Sequence, residues 1–306
     1  MKNMSPIVAI IGGGPAGITA AIQLKRTGVA TILFEGDQLG GLLKNAFMVE
    51  NYPGFPGGIP GEELVKRLKT QVETFKLDVK YERVSRLELL DTVNRETFRI
   101  TTPTSIHYAD RIIVASGTKA KKSAPLTSLP PSPGKYIFHQ VFPIRHAKGK
   151  RVVVIGAGDA AFDYALRLSG SNEVFILNKG ERIKALPLLV KRAKRIKNIH
   201  YVANCRMARV EAGKEKQLRV ICVKEKREQQ IEADYLLCAV GREPQLDFLT
   251  GDILGVTAEL QNRGRLYFAG DVKNGIFRQA AIAAGNGLES AMRIYENIGG
   301  KNESNW

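Results

Sequence analysis

The sequence predicts an α/β protein with two similar domains, and three observations carry that prediction. A length of 306 residues suggests two domains, each large enough for its own core. The apolar run Ile7–Ile11 leads into the glycine-rich turn GGGPAG at residues 12–17. A second apolar run, at residues 152–155, leads into the similar turn GAGDAA at residues 156–161. Runs of this length are typical of buried parallel strands.

The first glycine turn has the features that a dinucleotide requires. Gly12 allows the tight turn, Gly14 lets a pyrophosphate approach the backbone, and Gly17 lets the following helix pack on the strand. The helix N-terminus offers unpaired N–H groups and a positive dipole. A strand at residues 31–34 ends at Glu35, which can accept the ribose hydroxyls and disfavours a 2′-phosphate. These features predict a dinucleotide-binding, Rossmann-like unit.

The elements that follow are less regular. Gly and Pro are dense at residues 54–61, which predicts an irregular loop, and residues 62–75 have the apolar spacing of an amphipathic helix. Short strands of a β-meander are expected near residues 78–84, 86–91 and 97–101. A strand at residues 109–117 ends in small residues, which would let the sheet edge lie close to a cofactor.

The second turn begins a domain of the same kind. Residues 119–135 are rich in Pro, Ser and Lys and mark a boundary. In the turn, Ala161 replaces the third glycine, an accepted variant. After the strand at residues 173–177, Asn178 and Lys179 stand where the first unit has Glu35, with the cations Arg182 and Lys184 close behind. This favours NADPH over NADH, although solvated surface cations are the alternative.

The rest of the chain supplies one basic run and several strands. Residues 191–197 (KRAKRIK) suggest the solvated face of a helix. Strands are expected near residues 201–207, 218–224 and 233–240, and residues 241–244 return the chain to the first domain. These strands contain Cys205, Cys222 and Cys238, which we expect to be buried inert thiols without metal-ligand spacing.

Composition narrows the class of protein. Lys and Arg number 46 against 30 acids, a formal net charge of +16. Such a field attracts acidic partners, although solubility or a generally basic proteome would also explain it. No nucleic-acid motif accompanies the charge, and no apolar run approaches a membrane span or a signal peptide. We expect a cytoplasmic protein with no metal, nucleic-acid or membrane partner.

The motifs together resemble one family. To the two glycine turns the sequence adds VENYPG at residues 49–54, ASG at 115–117, AGD at 269–271 and RQA at 278–280. The chain looks like a low-molecular-weight thioredoxin reductase of the two-domain pyridine nucleotide-disulfide oxidoreductase superfamily. The resemblance implies two three-layer β/β/α domains and a homodimer. It implies FAD-binding parts at residues 1–117 and 244–306, with an NAD(P) domain at 118–243 inserted between them.

The resemblance also implies the cofactor-binding residues. Asp271 would bind the ribityl chain, and the helix start at Gln279 would face the flavin ring and stabilise negative charge on it. The FAD-binding set is Gly12, Gly14, Pro15, Ala16, Gly17, Glu35, Gly41, Leu42, Asn51, Ala115, Ser116, Gly117, Gly270, Asp271, Arg278, Gln279 and Ala280. The NAD(P)-binding set is Gly156, Gly158, Asp159, Ala160, Ala161, Asn178, Lys179 and Lys184.

One departure from the family bears on function. Thioredoxin reductases carry a C-x-x-C pair just before the second glycine turn, and by spacing that position here is residues 139–142, His-Gln-Val-Phe. Reduction of thioredoxin through an internal dithiol is therefore not expected. His139 is a weak catalytic candidate as a proton relay, or else a polar residue filling vacated space. A resemblance to thioredoxin reductase-like ferredoxin reductases, which place a C-terminal aromatic over a partner subunit's flavin, offers such a role to Trp306. The short tail and the common disorder of chain ends favour a terminus without that role.

Three functions stay open on the sequence. The first is an FAD-dependent NAD(P)H oxidoreductase in which nicotinamide delivers hydride to the flavin, which passes electrons to an acidic carrier such as ferredoxin or flavodoxin. Family hinges near residues 117–119 and 241–244 would rotate the domains. The RQA motif argues mildly against the ferredoxin-reductase branch. The second function is a non-enzymatic flavin-binding sensor, and the third is a flavoenzyme reduced by something other than NAD(P)H.

Overall fold

The computed structural model describes residues 6–92, 95–121, 134–214 and 216–299 of the chain. These residues separate into two units by their internal contacts. Unit 1 comprises the chain up to Lys44, Glu50–Lys119 and the chain from Glu243 onward, and unit 2 comprises Asn45–Val49 and Ala120–Arg242. Unit 2 is thus inserted into unit 1. Most of the predicted linker at residues 119–135, and Trp306, lie outside the described residues.

Unit 1 is built on a five-stranded parallel sheet of order β18-β7-β1-β2-β3. Its strands are β1 (Ile7–Ile11), β2 (Ala30–Phe34), β3 (Val79–Lys80), β7 (Arg111–Val114) and β18 (Leu266–Phe268). Its helices are α1 (Pro15–Arg26), α2 (Gly61–Thr74), α5 (Gly251–Asn262) and α6 (Ala280–Asn297). An antiparallel meander joins β4 (Arg86–Thr92), β5 (Arg95–Thr101) and β6 (Ile106–Ala109).

The side chains on the two faces of β1 show which layers pack against the parallel sheet. Val8 and Ile10 belong to a core cluster shared with α1, α2 and α6. Ala9 and Ile11 belong to a second cluster shared with the meander and α5. Successive side chains of a strand point to opposite faces, so a continuous apolar strand is buried on both sides. The central strand therefore lies between a helical layer and a second sheet, which is the predicted three-layer arrangement.

Unit 2 repeats the plan. Its parallel sheet has the order β12-β11-β10-β16-β9. The strands are β9 (Ile137–Phe138), β10 (Arg151–Ile155), β11 (Glu173–Leu177), β12 (Ile199–Val202) and β16 (Tyr235–Cys238), with helices α3 (Asp159–Leu168) and α4 (Pro187–Ala193). A second, antiparallel sheet joins β13 (Arg206–Ala212), β14 (Leu218–Lys224) and β15 (Arg227–Ala233). Val152 and Val154 pack in the cluster that contains α3, and Val153 packs towards the antiparallel sheet.

Two short strands pair where the chain passes between the units. They are β8 (Thr118–Ala120) and β17 (Arg242–Pro244), both at the predicted hinge positions. Lys119 Nζ lies 2.5 Å from the Asp247 carboxylate and 3.7 Å from that of Glu243. These carboxylates raise the pKa of Lys119, the hydrogen bond to Asp247 being the larger cause.

Several predicted elements have different bounds. The strand expected at residues 201–207 is two strands in two sheets, because Asn204 adopts a positive φ of 54° and turns the chain between them. The basic run at residues 191–197 lies mostly beyond the end of α4. The polar strand β15 was missed because most of its side chains face solvent. The helix α5 was also missed, since only Ile253 and Leu260 of it are buried.

Candidate functional site

The first glycine turn leaves open space where a ligand's diphosphate would lie. Gly12 has a φ of 112°, and a Cβ there would overlap the Ala115 carbonyl, whereas a Cβ on Gly17 would overlap the Gly12 carbonyl. Nothing lies within 4 Å of a Cβ built on Gly14. Gly14 is the N-cap of α1 and provides no side-chain cap. Two glycines therefore close the turn, and the third opens it towards an uncapped helix N-terminus.

Glu35 is held rigidly beside that turn. Its Oε2 accepts a hydrogen bond from the Gly13 N–H at 2.8 Å, and its Oε1 accepts one from the Asp37 N–H at 2.7 Å. A carboxylate has about four acceptor positions, so both oxygens can still accept hydroxyl protons. Fixed at the end of β2, Glu35 fits the ribose-binding role predicted for it.

The 3₁₀ segment Gly41–Asn45 brings two more predicted residues to the turn. The Gly40 N–H donates to the Gly13 carbonyl at 2.7 Å. A Cβ on Gly41 would lie 3.4 Å from the Gly14 Cα, so Gly41 borders the same open space. Leu42 is half-buried beside it. This approach of two glycine segments is not evident from sequence spacing alone.

The end of β7 lies against the same edge. The Ala115 N–H donates to the Ile11 carbonyl at 2.8 Å, and Ser116 Oγ donates to the Gln245 carbonyl at 2.6 Å. Gly117 follows with a φ of 66°. The ASG motif therefore ends a central strand beside the first turn, where ligands of such sheets bind.

The last helix meets the first one closely. A Cβ on Gly287 of α6 would overlap the Ala16 carbonyl, and Gly270, with a φ of 78°, would place a Cβ 2.9 Å from Ala16 Cβ. Asp271 follows in the 3₁₀ segment Gly270–Val272 and is half-buried. These small residues bring the AGD motif to the N-terminus of α1.

The RQA motif begins α6 as predicted. Gln279 is its N-cap and makes no side-chain cap bond, while its Oε1 accepts from Asn51 Nδ2 at 3.0 Å. Asn286 was missed at the sequence level. Its Oδ1 accepts from Asn274 Nδ2 at 2.8 Å and from the Gly270 N–H at 3.4 Å, and so orders the loop before the helix. No spacing rule identifies such an asparagine.

These features pass a test of fit for a dinucleotide in unit 1. Two helices, α1 and α6, start with uncapped N–H groups, and a bound anion would satisfy them. A fixed carboxylate lies at the ribose position of the fingerprint, and the space at Gly14 is open. The predicted Pro15 and Ala16 form the first turn of α1, Arg278 precedes α6, and Ala280 opens it.

Unit 2 has the same turn with a different neighbour. Gly156 has a φ of 128°, and a Cβ there would overlap the Ala239 carbonyl. Gly158 is an N-cap with open space around it, and Asp159 and Ala160, both exposed, start α3. Ala161 is fully buried in the core cluster, as its packing role requires.

Asn178, which stands where unit 1 has the Glu35 carboxylate, uses its side chain for hydrogen bonds within unit 2. Asn178 is only 7% exposed. Its Nδ2 donates to Tyr201 Oη at 2.9 Å and to the Arg182 carbonyl at 3.2 Å, and its Oδ1 accepts from the Gly180 N–H at 3.3 Å. Both amide protons are used inside the protein, so this side chain shapes the loop.

The loop cations are placed differently from Asn178. Lys179, Arg182 and Lys184 are exposed. The Lys184 N–H donates to the Ala157 carbonyl at 2.8 Å, which fixes that residue against the glycine turn. Cations there fit an anionic group on the ribose.

Residues 139–141 connect β9 to the 3₁₀ segment Phe142–Ile144. His139 follows β9 directly and is exposed, whereas Val141 is fully buried. Asn45 holds this stretch, because its Nδ2 donates to Gln140 Oε1 and its Oδ1 accepts the Phe142 N–H, both at 3.1 Å. The segment is thus anchored within unit 2 by side-chain and backbone bonds.

The cysteines correct one prediction. Cys205 and Cys222 form a disulfide with a Cα–Cα distance of 5.8 Å, so they are not inert thiols as expected. They lie 17 residues apart and meet because the β13–β14 hairpin folds back on itself. Cys238 is a buried free thiol, and burial raises its pKa to about 12. Its inert character was predicted correctly.

Metal-binding clusters and membrane-spanning helices are both absent from the described part of the chain. In it, no group of three or more His, Cys, Asp or Glu side chains is arranged to hold a metal ion. None of the helices in those ranges combines the length and apolar character needed to cross a bilayer.

Comparison with known proteins decides the family. The model for pyridine nucleotide-disulphide oxidoreductases matches residues 6–287. The chain belongs to this family. The oxidoreductase is 28% identical over 301 residues to thioredoxin reductase of Mycolicibacterium smegmatis, an alignment that covers 93% of this chain and 94% of the relative. It is 30% identical over 321 residues to thioredoxin reductase 1 of Saccharomyces cerevisiae, covering 93% and 95%.

A solved structure supports the same assignment. Thioredoxin reductase of Lactococcus lactis matches the oxidoreductase with a TM-score of 0.83 at 26% identity, over 96% of this chain and 99% of that one. The thioredoxin reductase-like, two-domain fold is therefore confirmed. Thioredoxin reductases use FAD and NADPH, and this chain has two glycine turns of the dinucleotide-binding kind.

Proposed function

We propose that this oxidoreductase passes electrons from NAD(P)H through FAD to an external acceptor without an internal dithiol. The observation that carries the proposal is the placement of its cysteines. The sequence has none at residues 139–142, and Cys205 and Cys222 are paired inside a sheet at 1% and 0% exposure. Thiol–disulfide exchange requires an accessible thiolate. A buried pair cannot meet a protein substrate, so the acceptor takes electrons from the flavin itself.

In this proposal unit 1 binds FAD. Glu35 accepts the ribose hydroxyls, and the turn at Gly14 with Gly41 receives the diphosphate. Asn51 and Gln279 hold the loop and helix start that face the ring, and Asp271 holds the ribityl chain. Bound there, FAD supplies two-electron chemistry that takes up a hydride from nicotinamide and releases electrons to an acceptor.

Unit 2 binds the nicotinamide nucleotide, with the diphosphate at Gly158 and a 2′-phosphate against Lys179 and Lys184. That selects NADPH over NADH. We keep the predicted scheme of an FAD-binding domain at residues 1–117 and 244–306 with an NAD(P)-binding domain at 118–243. We assign β8 and β17 as the hinge strands about which the units rotate during turnover.

Three further assignments complete the proposal. His139 is exposed and is the candidate for a proton relay. The protein is a cytoplasmic homodimer, and exposed apolar side chains at Ile276, Phe277 and Met292 support that assembly. The acceptor is an acidic carrier such as ferredoxin or flavodoxin, which the net charge of +16 would attract.

Stopped-flow mixing followed by turnover tests this function. We expect NADPH to bleach the flavin band rapidly, and we expect turnover with ferredoxin or flavodoxin but not with thioredoxin. Absence of bleaching with both NADPH and NADH would indicate a flavin-binding sensor or another reductant. Turnover with thioredoxin alone would show that electrons leave through a dithiol after all.

A further inference from the structure

Unit 2 contains a surface groove that the nucleotide-binding proposal does not use. We call it the basic groove. It has a volume of about 530 Å³. Its floor is apolar and consists of Ile183, Ala185, Pro187 and Val190. A concave apolar floor of this size can take up one or two large side chains of a partner.

The rim of the basic groove is cationic. Lys191, Lys194 and Arg195 line it, and all three are exposed. Across the ranges that the structure describes, no carboxylate forms an ion pair with any of them. Residues 179–197 contain eight cations and one acid, Glu181. The groove therefore lies in a strongly basic stretch of the chain, and three of its cations line the rim.

The basic groove is preformed. The Leu186 N–H donates to Asp159 Oδ1 at 2.8 Å, which ties the start of α4 to the start of α3. Pro187 occupies the first turn of α4, where its fixed φ favours the helix. A rigid surface loses little conformational entropy when a partner binds.

The groove is separate from the proposed 2′-phosphate site. Ile183 and Ala185 line it, whereas Lys184 between them does not. Neighbouring residues of extended chain point to opposite sides. Lys184 is instead fixed to the glycine turn through Ala157. Changes at the rim can therefore be made without altering the candidate nucleotide ligands.

We infer that the basic groove docks an acidic electron-carrier protein, which places an apolar side chain on the floor and carboxylates against the rim. This inference rests on the proposed function, since it names where the acceptor binds. A polynucleotide would use the cations and leave the apolar floor empty, and a bilayer favours projecting apolar residues over a concave floor.

Binding of purified ferredoxin and flavodoxin to the FAD-loaded protein tests the inference. The variant Lys191→Glu with Lys194→Glu reverses two rim charges. Its matched control, Lys66→Glu with Lys69→Glu, makes the same change at the same spacing on α2. We expect the rim variant to weaken Kd for the preferred carrier at least about tenfold and to flatten its salt dependence. We expect the control to stay within about twofold, and flavin reduction by NADPH to be unchanged in both. Val190→Ser should weaken binding without changing the salt dependence.

The other outcomes separate failure of this inference from failure of the proposed function. Equal weakening in both variants would show a diffuse charge effect, and unchanged binding in the rim variant would place the carrier elsewhere. Lack of carrier binding by the wild type, or tighter binding of duplex DNA or anionic phosphatidylserine vesicles that the rim variant loses, would assign another partner class. If the wild type binds a carrier through the groove but passes it no electrons, the proposed function fails while the docking surface stands. If electrons pass equally well in the rim variant, the docking inference fails while the proposed function stands.

Discussion

The two glycine turns share a backbone and differ at one side-chain position. Gly12 and Gly156 both have a positive φ and approach the carbonyl that follows a neighbouring strand. Gly14 and Gly158 both leave open space at a helix N-terminus. After the second strand, however, unit 1 has a fixed carboxylate at Glu35 and unit 2 has a buried amide and exposed cations. The two units therefore share the backbone of the turn, and the residue after the second strand is where a preference between nucleotides can be tested.

We expect the largest effect from adding a methyl group at Gly12, where the first glycine turn approaches the Ala115 carbonyl. Gly12→Ala forces a strained φ and an overlap with the Ala115 carbonyl, so we expect more than about 3 kcal/mol of destabilisation and loss of bound FAD. Thermal melting and the flavin absorbance per chain measure it. Gly14→Ala is the matched control. It should melt within a few degrees of wild type as apoprotein, and an equal loss of stability there would contradict the open space at Gly14.

The next test changes the residue at the predicted ribose position of each unit. Glu35→Gln keeps the size of the side chain and removes its charge, and we expect FAD to bind about 10- to 100-fold more weakly. Equilibrium dialysis of FAD measures this. Asn178→Asp should instead leave FAD binding unchanged and destabilise unit 2 by about 1–3 kcal/mol, because it removes the donors to Tyr201 and Arg182. Unchanged FAD affinity in the Glu35 variant would refute its ribose role.

The exposed cations of unit 2 allow a test of whether that unit prefers NADPH to NADH. Lys184→Ala should raise KM for NADPH about tenfold and leave KM for NADH nearly unchanged, because only NADPH carries the 2′-phosphate. Steady-state kinetics with both nucleotides give this ratio. Lys148→Ala, another exposed lysine of unit 2, serves as the control. Equal effects on NADPH and NADH would mean that Lys184 is ordinary solvated surface.

The cysteines of unit 2 give a test by counting thiols. Denatured without reductant, the chain should react with about one equivalent of a thiol reagent, and after reduction with about three. In the native state even Cys238 should stay unmodified at pH 8, because burial raises its pKa to about 12. Intact mass spectrometry after alkylation distinguishes these states. Three reactive thiols before reduction would contradict the disulfide.

The smallest effect concerns a hydrogen-bonded carboxylate in unit 1. Ser105 Oγ donates to Glu82 Oε2 at 2.6 Å and Thr102 Oγ1 donates to the same oxygen, and these bonds lower the pKa of Glu82 from 4.5 to about 2. A carboxylate whose pKa is lower in the folded than in the unfolded chain stabilises the fold at pH values above its unfolded pKa. That stabilisation is lost as the pH falls through its folded pKa. Stability should therefore decline below pH 4.5 more steeply in the wild type than in Glu82→Gln. Denaturant unfolding between pH 2.5 and 6 measures the difference, and parallel curves would contradict it.

The sequence predicted the strands beside the two glycine turns, because apolar runs and glycine turns are local signals. It assigned residues 78–84 to the meander, whereas β3 belongs to the parallel sheet of unit 1, and it missed the short strand β9 of unit 2. The contacts that complete the site are long-range. Gly41 approaches Gly14, and Asn286 orders the loop at Gly270, through the folding of distant segments. The same holds for Cys205 and Cys222, whose pairing depends on hairpin register and not on spacing. The burial of Asn178 could not be predicted either, since its partner Tyr201 lies on the neighbouring strand β12 and Gly180 lies in a loop without a recognisable motif.

Anaerobic reductive titration tests the central claim, that electrons leave the flavin without an internal dithiol. The FAD-loaded protein is titrated with dithionite while the flavin absorbance is followed. We expect complete reduction after about two electron equivalents per FAD, because the buried Cys205–Cys222 disulfide takes no part. Uptake of about four electron equivalents, with new thiols appearing in step with flavin reduction, would show a second redox centre and contradict the account.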